Sequence, residues 1–323
     1  MPANYPGLWL SRVERNLERG DKAPWLDGIA ELDTPIVVLG AGELSEKNLI
    51  TIPTTEFEPE VLLDNTAYPI AIVDYTDDAV VVSMRKYQSV ATSISDDAIT
   101  GSSYDKIDSA TKGHTTAILK KKYRVALYSM APAADTANTP VLVTTGRTGK
   151  FKADGTEIIL VAPDGRIRLT YIDLVAFRQE CTDAGFDFDG GGIRLVLCDD
   201  HWNDLLLDRD NFGDQLVNYK TGDVAPVIAG FKMYNASYNP NYDGTTKLAF
   251  GAIPTSTQYK ASIAFYEGNV AKKTGKTRQY FRPANIDTTT QTNLLNYRHY
   301  FMVVPKRVKY IAAIASGIFE EAA

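Results

Sequence analysis

The chain has 323 residues, 44% hydrophobic and 23% charged, enough for one large domain or two interleaved ones of ordinary soluble composition. Net charge is −6, from 34 basic and 40 acidic residues, which excludes the basic excess of a protein that grips nucleic acid in order to read it. The longest apolar run, Tyr310 to Phe319, is too short to cross a bilayer, and Arg12, Glu14 and Arg15 break up the place where a signal peptide needs its apolar core, so a cytosolic product with no membrane partner is expected.

Ser11 and Glu14 have the spacing of a capping box, Trp9, Val13 and Leu17 recur on one helical face, and Gly20 supplies a stop. A helix of about two turns is marginal alone. Its apolar face, with Trp25 just beyond, therefore wants a surface, either the chain's own core or a neighbour's. Pro35 to Ser45 next looks like the strand and glycine turn of a nucleotide-binding fold. Ser45, however, sits where the third glycine belongs, and only a few residues separate it from the extended Ile50-Thr51-Ile52-Pro53, leaving no room for the phosphate-binding helix. A strand and a turn are expected there, and a soluble nucleotide-binding enzyme is the weaker alternative.

Leu49 to Ser95 reads as a long extended excursion. Leu49 to Pro53 runs out and Val80 to Met84 returns, with Tyr68-Pro69 and Asp77-Asp78 punctuating the far end. Val80 to Val82 and Tyr87 to Ile94 are rich in β-branched residues, with polar residues interspersed, and read together as the return arm. An isolated hairpin is marginal in water and its edges invite other chains. Contact with another subunit is therefore expected to stabilise it, and in an isolated monomer the amides of residues 60–80 should exchange faster than those of the core.

The spacing then predicts one long helix over 103–131. Ser102 or Ser103 caps it, Asp105 and Asp108 meet the positive end of its dipole, and Lys120, Lys121, Lys122 and Arg124 are expected as a solvated face near the negative end. Thr111, His114, Ile118, Val125 and Tyr128 follow one side, Ala131-Pro132 ends it, and its length is roughly 40 Å. Strands are predicted at Pro140–Thr144 and Thr156–Val161, with a turn at Pro163-Asp164-Gly165. A helix starts near Thr170 with Asp173 at its third position and runs through Leu174, Phe177 and Cys181 to Gly185. Gly190-Gly191-Gly192 feeds the buried strand Ile193–Cys198, after which Asp199 or Asp200 caps a short helix bearing Trp202, Leu205 and Leu206. Later strands are expected at Pro226–Tyr234, Lys247–Ile253, and as a final pair, Tyr297–Val304 and Val308–Ala315, joined at Pro305-Lys306. The class is α+β with interleaved domains.

Little of this carries chemistry. His114, His201 and His299 are scattered, and His114 lies on the apolar stripe of the long helix. Cys198-Asp199-Asp200-His201 gathers metal-capable groups, but a strand end and a helix cap account for the aspartates, and no supporting ligand spacing occurs elsewhere. Cys181 and Cys198 are expected as buried free thiols in a reducing compartment. No Gly-x-Ser-x-Gly elbow or P-loop is present, and no catalytic, cofactor or metal residues are assigned.

Order and spacing give a likeness. Tyr87 to Asp96 leading into Tyr104-Asp105 and the long helix, then Ile193–Leu197 followed by Asp200–Leu207, then Ile228–Met233, resemble the Hong Kong 97-like capsid fold of tailed-bacteriophage major capsid proteins. The resemblance implies an N-terminal arm over 1–48, an extended loop over 49–97, a peripheral domain over 98–169 with its spine helix, an axial domain over 170–264, and peripheral return strands over 265–323. It implies self-assembly as hexamers and pentamers into an icosahedral shell around double-stranded DNA. The shell would form in the host bacterial cytoplasm, hold its DNA non-specifically, and need no enzyme activity or cofactor. An encapsulin-type nanocompartment with an enzyme cargo uses the same fold and is the alternative. Trp9, Trp25, Tyr68, Pro69 and Tyr75 are the expected inter-subunit contacts, because aromatic anchors dominate interfaces. Pro59 to Asp78 contains no lysine, so the covalent crosslinking of some family members is not expected. Because Met1 leads directly into the arm, a separate scaffolding protein is expected as a partner, along with a portal.

Overall fold

The computed structural model describes residues 23–39, 47–53, 61, 63–66, 68–70, 79–95, 106–208, 217–218, 223–224, 226–286 and 289–319. Trp9, the Ser11–Gly20 helix, the glycine turn after Leu39, Tyr75 and the Ser102/Ser103 cap lie outside them.

A six-stranded mixed sheet runs in the order Val227–Ile228, Phe231–Asn235, Ile193–Leu197, Ser262–Tyr266, Ile311–Ala315, Val141–Val143. Ile193–Leu197 and Ile311–Ala315 are buried at every residue, which is why both read as apolar runs, interrupted only by Arg194, and not as alternation. The helix Tyr171–Asp183 starts at a true capping box: Thr170 accepts from the Asp173 amide while Asp173 accepts from the Thr170 amide. Pro226–Tyr234, expected as one strand, is instead a hairpin. Ala229 and Gly230 both have positive φ (50° and 87°), the turn geometry that matches strand twist, and the Phe188 ring lies 3.0 Å from where a Gly230 Cβ would stand. In the short helix Asp199–Leu207, Cys198 is the cap and bonds no side chain to it. Asp199 and Asp200 sit in the first turn, where they oppose the dipole's positive end.

The second sheet is built on the 14-residue strand Thr292–Pro305. Along one side lie Val270–Thr274 and Arg278–Arg282; along the other lie Arg85–Gln88 and Thr92–Ser95. Residues 85–95 are therefore body and not free arm, contrary to the expectation. Tyr87 pairs with His299 and Ile94 with Asn293, and both Tyr87 and Ile94 are buried. The two last strands do not pair with each other either. Thr292–Pro305 belongs to this sheet and Ile311–Ala315 to the six-stranded one, because the first presents one apolar face to a helix while the second is apolar on both. Of Lys247–Ile253 only Lys247 is strand, as the end of Thr246–Lys247, and Gly251 is left-handed (φ 86°).

The long helix runs Lys106–Met130. Thr111, His114, Ile118, Lys122 and Val125 form its buried stripe against the 14-residue strand. There His114 meets the Tyr297 ring edge-on at 5.5 Å and Tyr123 meets Phe301 at 6.2 Å. Lys122, expected in water, is buried with its ammonium over the rings of Phe301 (4.5 Å) and Tyr123 (4.8 Å), a cation–π seat. The last turn holds no basic residue. Lys247 does that work from another strand: its Nζ donates to the carbonyls of Tyr128 and Ala131 and lies 4.4 Å over the Tyr128 ring. Burial lowers the Lys247 pKa to about 8.

Candidate assembly surface

The out-and-back ribbon is present at its root. Lys47–Pro53 pairs antiparallel with Ala79–Ser83, from Leu49 opposite Ser83 to Pro53 opposite Ala79, and Val37–Leu39 pairs antiparallel on the other edge. This antiparallel pairing is incompatible with the parallel βαβ unit of a dinucleotide fold. Ile50 and Ile52 are fully buried with Met84, Ala271, Tyr300 and Met302, which pins the root to the five-stranded sheet. Burial covers only one face of the root and stops beyond it. Val80 and Val81 are exposed, and among the described tip residues Val61 is 84%, Leu63 88% and Tyr68 77% accessible, with Ile70 and Pro69 also exposed. The chain covers the base of its ribbon and leaves the described part of the tip uncovered.

Of the five residues expected at subunit contacts, Tyr68 and Pro69 are on this surface, and Trp9 and Tyr75 lie outside the described residues. Trp25 is a correction. It is fully buried in its own chain, its Nε1 donates to Tyr238 Oη at 2.9 Å, and its ring meets Phe265 edge-on at 6.0 Å. An aromatic with a satisfied N–H and no accessible area has no surface to offer a neighbour. Beside it, Arg194 Nη1 donates to the carbonyls of Trp25 (2.9 Å) and Asp27 (2.7 Å), while Nε and Nη2 hold the Glu267 carboxylate at 3.1 and 2.8 Å. Glu31 accepts from Thr274 Oγ1, and Lys273 donates to the Leu32 carbonyl. These bonds fix the segment after residue 23 to both sheets. Sequence reasoning missed this clamp; the available signal was an arginine inside the otherwise apolar run Ile193–Leu197.

Next to the ribbon root a groove of about 1210 Å³ opens between Arg85–Thr92 and one flank of the long helix. Ala110, Gly113 and Ala117 form its helical floor, Phe250 one wall, and Arg85 and Lys121 its exposed charged rim.

A serine and a histidine do meet inside the chain, at a buried contact. His201 Nδ1 lies 2.7 Å from Ser262 Oγ, but its Nε2 lies 2.9 Å from Ser316 Oγ, so no carboxylate orients the ring. The site is fully buried, and burial, with a smaller push from Arg166, lowers the His201 pKa to about 3. The pair ties the short helix to the six-stranded sheet. Nearby, Arg166 Nη1 and Nη2 hold Asp204 at 2.6 and 2.9 Å in a buried bidentate pair, and Asp204 also accepts from the Leu169 amide at 3.0 Å. Cys181 and Cys198 are buried free thiols whose pKa values burial raises. Among the described residues no three His, Cys, Asp or Glu side chains gather as a metal site, and no helix is long and apolar enough to cross a membrane.

No protein-family model and no curated sequence matches the chain. Solved structures do. The capsid structure of cyanophage P-SCSP1u superposes with a TM-score of 0.57 at 12% identity, covering 90% of this chain and 90% of that one. The mature capsid of bacteriophage PhiM1 gives 0.53 at 11%, covering 88% and 92%. A virus-like particle from Pyrococcus furiosus gives 0.53 at 9%, covering 97% and 100%. At these identities the likeness is one of fold, and it spans nearly the whole chain. The mixed α and β architecture described above is the fold of these capsid and particle subunits.

Proposed function

We propose that this chain is a self-assembling shell subunit of the Hong Kong 97-like capsid type, a structural protein and not an enzyme. It would associate as hexamers and pentamers into a closed shell around double-stranded DNA. Residues 1–48 act as the arm, the ribbon reaches a neighbour, the five-stranded sheet and long helix form the peripheral domain, and the six-stranded sheet forms most of the axial one. Tyr68 and Pro69 are contact residues on this reading. A scaffolding protein and a portal are its partners, and the virion is its destination.

One observation carries the reading: the described part of the ribbon tip keeps large apolar side chains in water while Ile50 and Ile52 at the root are packed. Monomers rarely expose contiguous apolar surface without a use for it. The whole-chain likeness to capsid subunits supplies the use. The coverage of the Pyrococcus furiosus particle keeps a cargo-holding nanocompartment as the second reading. The test is light scattering and electron microscopy of purified protein, with nuclease-protected DNA or retained protein identifying the contents, and amide exchange on the monomeric fraction. Hollow megadalton particles are expected when the scaffolding partner is co-produced, with residues 61–70 of the monomer exchanging freely. A chain that stays monomeric and protects those amides as strongly as its core overturns the reading.

A further inference from the structure

The five strands of the second sheet carry seven Lys and Arg residues and no Asp or Glu, in a chain whose net charge is −6. Folding gathers several of these charges on one side. Along Thr292–Pro305, Tyr297 and Phe301 meet the long helix, so the alternate residues face the other way. On that side the ribbon root packs on Tyr300 and Met302, while Leu294, Asn296 and Arg298 stay half-buried at an open face.

Register decides what joins them. Arg278 lies opposite Arg298, Tyr280 opposite Asn296 and Arg282 opposite Leu294; on the other edge Gln88 lies opposite Arg298 and Lys86 opposite Tyr300. Directly opposed residues share a face, so Lys86, Gln88, Arg278, Tyr280 and Arg282, all exposed, surround Arg298 on one side of the sheet. The Arg298 guanidinium is seated over the rings of Tyr280 (5.2 Å) and Tyr300 (5.5 Å). Like charges directly opposite destabilise a strand pair, so Arg278 against Arg298 is a local cost that an anion set between them turns to attraction. Arg282 lies four residues along from Arg278, roughly 13 Å away, so an anion that meets both must be extended and repeating. Arginine, lysine, amide and phenol groups are the ones that contact nucleic-acid phosphates. An acidic protein segment is the poorer match, because its apolar side chains would find only Leu294 and the Tyr280 ring among these residues.

We propose that this open face binds the phosphate backbone of double-stranded DNA without reading its sequence. The proposal deepens the shell reading, from which it takes the DNA, by naming the surface that meets it.

The test is fluorescence anisotropy of two labelled duplexes of unrelated sequence with purified, unassembled chain. Equal affinity for both is expected, with a log–log salt slope of about −3.6 from four basic contacts at about 0.9 each. Arg278→Glu with Arg282→Glu should lower the affinity at least about tenfold and shrink the slope by about two. Its Tm should not fall, because both side chains are exposed and the like-charge pair is gone. Lys86→Glu alone should shrink the slope by about one. The same double reversal on the exposed side of the long helix, Lys120→Glu with Arg124→Glu, changes net charge equally and should leave affinity within about twofold. Absence of duplex binding, equal losses from the two double variants, or poly-glutamate competing as well as duplex at equal charge overturns the proposal. Hollow particles from a chain without duplex affinity would leave the shell reading standing and sink this face; duplex affinity in a chain that forms no particles would do the reverse.

Discussion

Replacing residues 54–78 with a two-residue Asn-Gly turn separates what the ribbon does for the monomer from what it does between copies. Pro53 and Ala79 are already directly opposed across the root, so the short turn closes an existing register. Val61, Leu63, Tyr68 and Ile70 are exposed, so their removal forfeits almost no burial within the chain. Were those four side chains packed in the chain's own interior, losing them would cost roughly 6–12 kcal/mol at about 1.5–3 kcal/mol each. For the described tip residues, exposed as they are, loop closure is the largest effect left: shrinking the loop from 25 residues to two gains about 2 kcal/mol from (3/2)RT ln(25/2). At about 2 °C per kcal/mol for a chain of this size, Tm should hold steady or rise by up to about 4 °C. Thermal melts followed by tryptophan fluorescence measure this, and light scattering of the same samples should show particles abolished. A drop in Tm of about ten degrees, or normal particles from the shortened chain, refutes the reasoning.

Trp25→Ala should cost about 3–5 kcal/mol, because it empties a fully buried site and removes the donor to the Tyr238 hydroxyl, while a matched amount of folded protein assembles as before. Urea titration checks the first half and light scattering the second. Arg166→Met should cost about 3–5 kcal/mol by leaving Asp204 a buried charge with one backbone donor, and adding Asp204→Leu should recover most of it. His201 and His299 titrate near about 3 and about 4 in the folded chain, both lowered chiefly by burial, against an ordinary value of 6.5. Between pH 4 and 6.5 the unfolded state therefore binds more protons. Their contribution is complete above about pH 6.5 and fades as pH falls, by about 1.4 kcal/mol per unit for each ring. Urea midpoints across that range should show this slope, and His201→Gln should remove about half of it.

Local chemistry was legible because it depends on neighbours in sequence. The Thr170–Asp173 capping box, the helix stop at Ala131-Pro132 and the buried run at Ile193–Leu197 are each encoded within a few residues, the two arms of the ribbon root were each legible as a short β-branched run, and the structure shows all of them. The order of these pieces was also enough to point at a capsid-type fold. Only the tertiary structure decided which surface each piece meets. Tyr87 to Ile94 has the β-branched look of a free arm, yet a 14-residue strand far along the chain takes it into a sheet. Trp25 looked available to a neighbour until Tyr238 and Phe265 enclosed it, and the dipole of the long helix is met by Lys247 and not by its own lysines. Burial and pairing across such separations depend on which faces happen to be complementary in space. No window of sequence contains both partners.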